Sequence, residues 1–523
     1  MLIGLGVLFS LYLQLQIPEE VFFSGDAGPK LLLIKQFAEG RLQADLDLPV
    51  ESWVRNLWDK GLYPFAPPFT YEIDNRYYIQ YPFIYPLISA PFYALFGWRG
   101  LYIISLVSIW IIWWRFYVVC KRFRLGVIST SLGLATLIFA SPLTLYSAMF
   151  WEHAIAISLA FWGISIILIS PSQNLSNREA ILSGILIGLS VWFRQELLSL
   201  GLTLIALFAL SPKLNLGFKR NTVFLISLIL TVTGFLIVNT IAYGHPLGIY
   251  SFSLGISTTE TDTASANSYK PVITDSFSLI DKASSFFIVL FELIFRLFRY
   301  LPITAFSFSY IFLVLLTNKA KLKPSVKFTF LLGLPILFSV PLVGWVGGKE
   351  WGARYLLVLI PLISLIATIT LNQIIRIRSY SLRYVGLSVF LVLLVGGSLI
   401  NTFFGTTRLI RDYAQRVLPA LNVLRANPNT VVAVSHQYIS QDLAAAFSEK
   451  VFFLTQSTND LEQLASVLLS QGNQQFIYLE REDESKKVDY LEFTSGDQRF
   501  AIKVTELGEF GSYIVSEASI VRL

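Results

Sequence analysis

The sequence predicts an all-α polytopic membrane domain of about eleven spanning helices, followed by a small C-terminal α/β domain. Three observations carry this prediction. Of 523 residues, 54% are hydrophobic and only 14% charged, where a soluble domain has about a quarter charged. The apolar residues fall in runs near the ~20 residues that a tilted bilayer helix needs. Beyond residue 425 the texture changes, and short strand-like and helix-like segments alternate. Aromatic residues reach 15%, with 11 Trp and 24 Tyr, as expected where rings sit at membrane–water boundaries. An ordinary cytosolic enzyme and a disordered chain are both excluded.

Spans are expected near 2–17, 101–118, 127–147, 153–170, 179–193, 196–211, 222–242, 300–317, 327–344, 354–371 and 384–403. The first lacks a basic n-region and a small-residue cleavage motif, so it is expected to stay as an anchor. Alternate connections carry Lys121, Arg122 and Arg124; Arg178; Lys213, Lys219 and Arg220; Lys319, Lys321, Lys323 and Lys327; and Arg376, Arg378 and Arg383. Cations crowded into short loops mark the inner side. The N-terminus is therefore expected inside and the C-terminus outside. Segment 82–97 is apolar but short, and Pro82, Pro86 and Pro91 interrupt it. It is expected to be a half-helix at the outer face.

The transmembrane domain is thus expected over 1–403, with outer loops at 18–100 and 243–299. An amphipathic linker helix is expected over 404–425 and a soluble domain over 426–523. Within that domain the pattern predicts strands at Val431–Val434, Val451–Leu454 and Phe476–Leu479, with helices at Gln441–Phe447 and Asp460–Leu469. Further strands are expected around Val488–Phe493, Phe500–Leu507 and Ser512–Val515.

The net charge is +6, but the cations are scattered in short clusters between apolar runs, which argues against nucleic acid as a partner. Cys120 is the single cysteine, and there are three histidines, His153, His245 and His436. Neither a disulfide nor a thiolate cluster can form, and no metal site is assigned.

The polar residues that invite a chemical role gather at the outer ends of the expected spans. They are Asp26 in Ser24-Gly25-Asp26-Ala27, Glu152 and His153 after Trp151, Arg194 and Glu196 in a tight turn, and Lys349, Glu350 and Arg354 around Trp351. A transporter would place such groups near mid-bilayer in broken helices. Groups at the outer edge suit an enzyme working at the membrane surface.

In that order and spacing, these residues resemble the GT-C polyprenyl-phosphate-sugar-dependent glycosyltransferases, such as the protein O-mannosyltransferases and lipid A aminoarabinose transferases. The resemblance covers about residues 1–400 and rests on four places. Asp26 follows the first span. Tyr81-Pro82-Phe83-Ile84-Tyr85-Pro86 is similar to a Tyr-Pro-Pro-Leu-like motif. Gly188-Leu189 with Arg194 and Glu196 is similar to Gly-Leu-x-x-x-x-Arg-x-Glu, and Gly352-Ala353-Arg354-Tyr355 is similar to a Gly/Arg-Tyr motif opening a late span. Many members follow the first acidic residue with Glu, where this chain has Ala27-Gly28-Pro29, and the aminoarabinose transferases carry Lys where Tyr81 stands.

The resemblance implies sugar transfer from a polyprenyl-phosphate donor to an acceptor hydroxyl on the extracytoplasmic face, with inversion. Asp26 would act as general base and Glu152 would orient the acceptor. Such a reaction needs a base within reach of the hydroxyl proton and cations for the leaving phosphate. Arg194, Lys349 and Arg354 are the expected phosphate ligands, and Tyr81, His153, Glu196 and Glu350 would line the pocket. No cofactor is required by the residues, and a divalent cation stays open. Expected partners are the polyprenyl-phosphate sugar, the lipid bilayer, and an envelope glycan, lipid or protein as acceptor. The compact inside loops point to a bacterial inner membrane.

Each residue also has a structural alternative. Asp26 could cap a helix starting at Pro29, Arg194 could pair with Glu196, and Arg296 with Glu292 forms an ordinary i,i+4 pair. Two rival functions stay open: a transporter or lipid flippase, and a non-catalytic envelope assembly factor.

Overall fold

The computed structural model describes residues 1–169, 175–210, 217–249, 279–309, 324–339, 351–481 and 489–523. The described chain is mostly helical, with a sheet confined to its C-terminal part and one short hairpin. Its internal contacts divide it into two compact units. One contains Met1–Gln16, Tyr102–Pro246 and Thr274–Arg408, and the other is built mainly from Ile17–Leu101 and Leu409–Leu523.

Among the described residues, the regular structure of the first unit is all helical. Among the described residues, three helices are long and apolar enough to cross a membrane: Ile103–Arg122, Phe218–Tyr243 and the helical stretch Tyr380–Ala426, which runs on into the second unit. Shorter apolar helices are Leu2–Gln16, Val127–Phe139, His153–Ile169, Gln195–Ala209, Thr329–Ser339 and Leu359–Ile374. The expected span over 127–147 is interrupted: its helix ends at Phe139, Pro142 intervenes, and a separate turn covers Leu143–Tyr146. The last expected span and the amphipathic linker are one helical stretch containing π turns at Leu399–Gly405 and Tyr413–Val417. Much of the second outer loop lies outside the described residues. Its end is the helix Leu279–Tyr300, which carries the expected Arg296–Glu292 pair at 2.7 Å.

Local sequence explains the packing. Helix Asn177–Phe193 starts on a capping box in which the Ser176 side chain and Glu179 satisfy each other's backbone donors. It runs between helices His153–Ile169 and Phe218–Tyr243. Small residues allow that closeness: a Cβ added at Gly184 would lie 2.1 Å from Ser227 Oγ, and one at Gly188 would lie 2.6 Å from Thr231 Cβ. Gly188 of the Gly-Leu motif thus sets a helix crossing. Arg115 lies inside helix Ile103–Arg122, donates from Nε to Ser165 Oγ at 2.9 Å, and stands over the rings of Trp114 and Trp162.

The second unit joins an early and a late part of the chain. Its six-stranded sheet has the order β4-β3-β5-β8-β7-β6, with β3 Val431–Val434, β4 Val451–Leu454, β5 Gln475–Arg481, β6 Tyr490–Ser495, β7 Gln498–Phe510 and β8 Tyr513–Arg522. β3 pairs in parallel with β4 and β5, and the other neighbours are antiparallel. Every residue of β3 is buried, as a central parallel strand covered on both faces should be. The expected helix Gln441–Phe447 is instead a helix over Gln437–Asp442 followed by a 3-10 turn over Ala444–Ser448. His436 moves the start forward, because its ring nitrogen accepts from Tyr438 N at 3.1 Å and caps that helix.

The early part contributes helix Ala27–Ala38, the hairpin β1 (Thr70–Ile73) and β2 (Arg76–Ile79), and helix Ile84–Gly100 over the expected half-helix. It docks on the late part through aromatic and polar contacts. Trp58 Nε1 donates to Phe452 O at 3.0 Å, Phe65 stacks on Phe447, and Arg425 forms ion pairs with Glu20 and Glu449.

Candidate active site

In the first unit, helix ends bring charge together. Glu152 precedes helix His153–Ile169, and Ala156 N donates to its carbonyl, so its carboxylate lies at the end where a helix favours negative charge. Arg194 caps the C-terminal end of helix Asn177–Phe193, where a cation is favoured. The two meet: Arg194 Nη1 donates to Glu152 Oε1 at 3.1 Å, and Arg194 Nε donates to Glu196 Oε1 at 2.6 Å. Glu152 is only 2% exposed. Burial opposes the Arg194 charge, but Glu196 and Glu152 outweigh it and hold the guanidinium above its ordinary pKa.

A second cation stands beside this group. Both Arg194 and Arg354 lie over the Tyr355 ring, at 5.4 and 5.2 Å from its centroid, and Arg354 also stands 5.7 Å over Trp151. The turn that presents Arg354 needs Gly352, whose φ of +86° is strained for any other residue. Trp351 fixes the same turn, because Tyr146 donates to its carbonyl at 3.1 Å and its indole N–H donates to Asn401 Oδ1 at 3.1 Å. Asn401 in turn donates to the carbonyls of Tyr300 and Gly397. His153 is buried among Tyr146 and Trp151.

The structure therefore gathers Glu152, His153, Arg194, Glu196 and Arg354 in one place. Lys349 and Glu350 lie outside the described residues. Asn401 and Tyr146 were not anticipated, and Tyr355 entered only as the last residue of the Gly352-Ala353-Arg354-Tyr355 motif. Asn401 carried a signal, as an amide inside an apolar run.

Asp26 and Tyr81 belong to the second unit. Asp26 occupies the cap position of helix Ala27–Ala38 and is half-buried, yet its side chain makes no capping bond. The structural alternative of a helix cap is thus absent. Lys30, on the same helix, is 1% exposed, and its ammonium lies 4.0 Å from the Tyr81 ring centroid. A lysine is almost never so buried unless something holds its charge. Sequence reasoning passed over it because it read as an ordinary helix residue. Among the described residues no three of His, Cys, Asp and Glu come together as metal ligands. Glu152 and Glu196 share the Arg194 guanidinium.

No protein-family model matches the chain, and no curated protein matches it. Among solved structures, ArnT from Cupriavidus metallidurans bound to undecaprenyl phosphate matches with a TM-score of 0.54 at 10% identity, over 98% of this chain and 97% of that one. The same protein in its apo state gives 0.53 at 10% identity over the same shares. An Archaeoglobus fulgidus oligosaccharyltransferase in its apo form gives 0.45 at 11% identity, over 91% of this chain and 69% of that one. The chain therefore shares its fold with ArnT, over nearly the full length of both proteins.

Proposed function

We propose that this protein is an integral-membrane glycosyltransferase that moves a sugar from a polyprenyl-phosphate donor to an acceptor hydroxyl. The observation that carries this proposal is the near end-to-end fold match to a protein solved with undecaprenyl phosphate bound. The charge pattern at the two candidate sites supports it.

In the reaction, the acceptor oxygen attacks the anomeric carbon on the face opposite the phosphate. The new C–O bond forms as the bond to phosphate breaks, which inverts the centre. Asp26 takes the hydroxyl proton, a role that needs a carboxylate not tied up in capping. The leaving polyprenyl phosphate is already a weak base and needs cations, not an acid. Arg194 and Arg354 supply them, with Lys349 as a third ligand, and a guanidinium fork suits two phosphate oxygens. Glu152 and Glu196 hold the Arg194 fork in place, so Glu152 acts on the reaction through Arg194, and by the original expectation it also orients the acceptor. By the same reading Tyr81, His153 and Glu350 would contact the substrates.

The proposal includes the membrane arrangement: about eleven spans, an inner N-terminus, an extracytoplasmic tail, and a bacterial inner membrane. It also includes the division into a membrane domain over 1–403, a linker over 404–425 and a soluble domain over 426–523. The acceptor is an envelope glycan, lipid or protein.

The test gives purified protein a panel of undecaprenyl-phosphate pentoses and hexoses labelled in the sugar, with cell-envelope extract as acceptor. Transfer is expected with at least one donor, and Asp26→Asn should reduce it by about 10²–10⁴-fold at unchanged expression. Full activity in Asp26→Asn would overturn the base assignment. Absence of transfer by the parent protein, together with lipid flux in proteoliposomes, would replace the reading with a flippase.

A further inference from the structure

The turn that carries Asp26 is pressed onto the C-terminal part of its own unit. A Cβ placed on Gly28 would lie 2.0 Å from the backbone oxygen of Gln441 and 2.9 Å from Ala444 Cβ. One placed on Gly25 would lie 2.8 Å from Gln441 Oε1 and 3.4 Å from Asp442 Oδ1. The glycines on either side of Asp26 thus touch the same short stretch, 441–444, and only glycine allows that approach. Turn bonds from Ala27 N to Ser24 O and from Gly28 N to Gly25 O complete the local geometry.

The stretch beneath the turn is itself held firmly. Both terminal nitrogens of Arg416 donate to Asp442, at 2.7 and 2.9 Å, and the Tyr513 hydroxyl donates to the same carboxylate. Gln437, one turn earlier, accepts from Ala66 N at 2.9 Å and donates to Pro67 O at 3.1 Å. Gln441 is 1% exposed, and its carboxamide makes no hydrogen bond within the described protein. Buried polar groups are nearly always bonded, so such an amide calls for a use.

We propose that helix Gln437–Asp442 is the seat of the Asp26 turn, and that Gln441 and Asp442 are positioning residues for the proposed transfer. This rests on the assignment of Asp26 as base. Asp26 lies between Gly25 and Gly28, so its backbone position follows the turn, and the turn follows its seat. Asp442, clamped by Arg416 and Tyr513, fixes the helix, and the Gln441 carboxamide is the polar group offered to the turn from below. The C-terminal part is then a component of the catalytic apparatus and not an appendage.

The test compares full-length protein with Gly28→Ala, Gln441→Ala and Asp442→Asn in two measurements. Amide hydrogen exchange across residues 24–38 should rise about tenfold in Gly28→Ala and Asp442→Asn. In donor-transfer kinetics, kcat should fall by about 10–100-fold, the effect of a misplaced reacting group, while KM for the lipid donor stays within about twofold. The acid limb of the kcat–pH profile should also shift, which a smaller fraction of folded protein would not produce. Parental exchange and kcat in Asp442→Asn and Gln441→Ala would overturn the proposal, even if Gly28→Ala fails to fold. Full activity in Asp26→Asn would overturn the base assignment alone, since exchange at 24–38 reports on the seat by itself.

Discussion

Arg194 in the helical unit and Arg416 in the sheet-bearing unit are both mostly buried and both clamped by acid, yet they are clamped differently. Arg416 closes both terminal nitrogens on the two oxygens of one carboxylate, and Tyr513 adds a third contact to that acid. Arg194 divides its fork between Glu152 and Glu196, which come from different helix ends, while Arg354 shares the ring beneath it. A closed pair satisfies both partners and is a structural fastening. A divided pair beside a second cation is a place where an incoming anion can exchange with a carboxylate. In the proposed reaction, the difference separates an arginine that holds the fold from one that receives the donor phosphate.

The sharpest way to break this contrast is Arg194→Ala. Transfer should drop by about 10²–10³-fold, measured as labelled product. Removing this counter-charge from the buried Glu152 should also cost about 3–5 kcal/mol, read from thermal unfolding in detergent. Asp442→Ala comes next, with a loss of about 3 kcal/mol confined to the sheet-bearing unit and visible as raised exchange in β3, β5 and β8. A paired comparison sharpens the point. Arg194→Lys should lower transfer about tenfold with little change in melting, because an ammonium keeps charge but cannot bridge two acids. Arg416→Lys should lower melting first.

The smallest effect concerns pH. Burial, and then the Asp442 charge, push the Tyr513 hydroxyl well above its ordinary pKa. The folded state keeps a proton that the unfolded chain would release, so the contribution is present at neutral pH. It is lost as pH rises past about 10. Tyr513→Phe should cost about 1 kcal/mol at pH 7 and flatten the alkaline decline in a melting series.

The legible parts of this molecule are those where local pattern decides. Apolar runs marked the helices, short apolar runs between helical segments marked β3, β4 and β5, and the Arg296–Glu292 pair followed from helical spacing. The outer polar residues were singled out because charge at the end of an apolar run is conspicuous, and five of them do meet. The union of 17–101 with the tail was not legible. Its signals are single residues such as Trp58, Gln437, Gly25 and Gly28, whose partners lie hundreds of positions away and leave no periodicity. Lys30 was missed for the same reason, since only tertiary contact shows that a helical lysine is buried.

The grip of Gln437 on Ala66 and Pro67 spans most of the polypeptide. A ribosome adding about 5–20 residues per second needs on the order of 15–60 s to travel from the first half of this unit to the second. For that interval the nascent segment around Asp26 exists without the surface it will rest on. Synthesis order therefore makes residues 437–444 complete a segment made well before them, and a stop codon between the two would strand the earlier part.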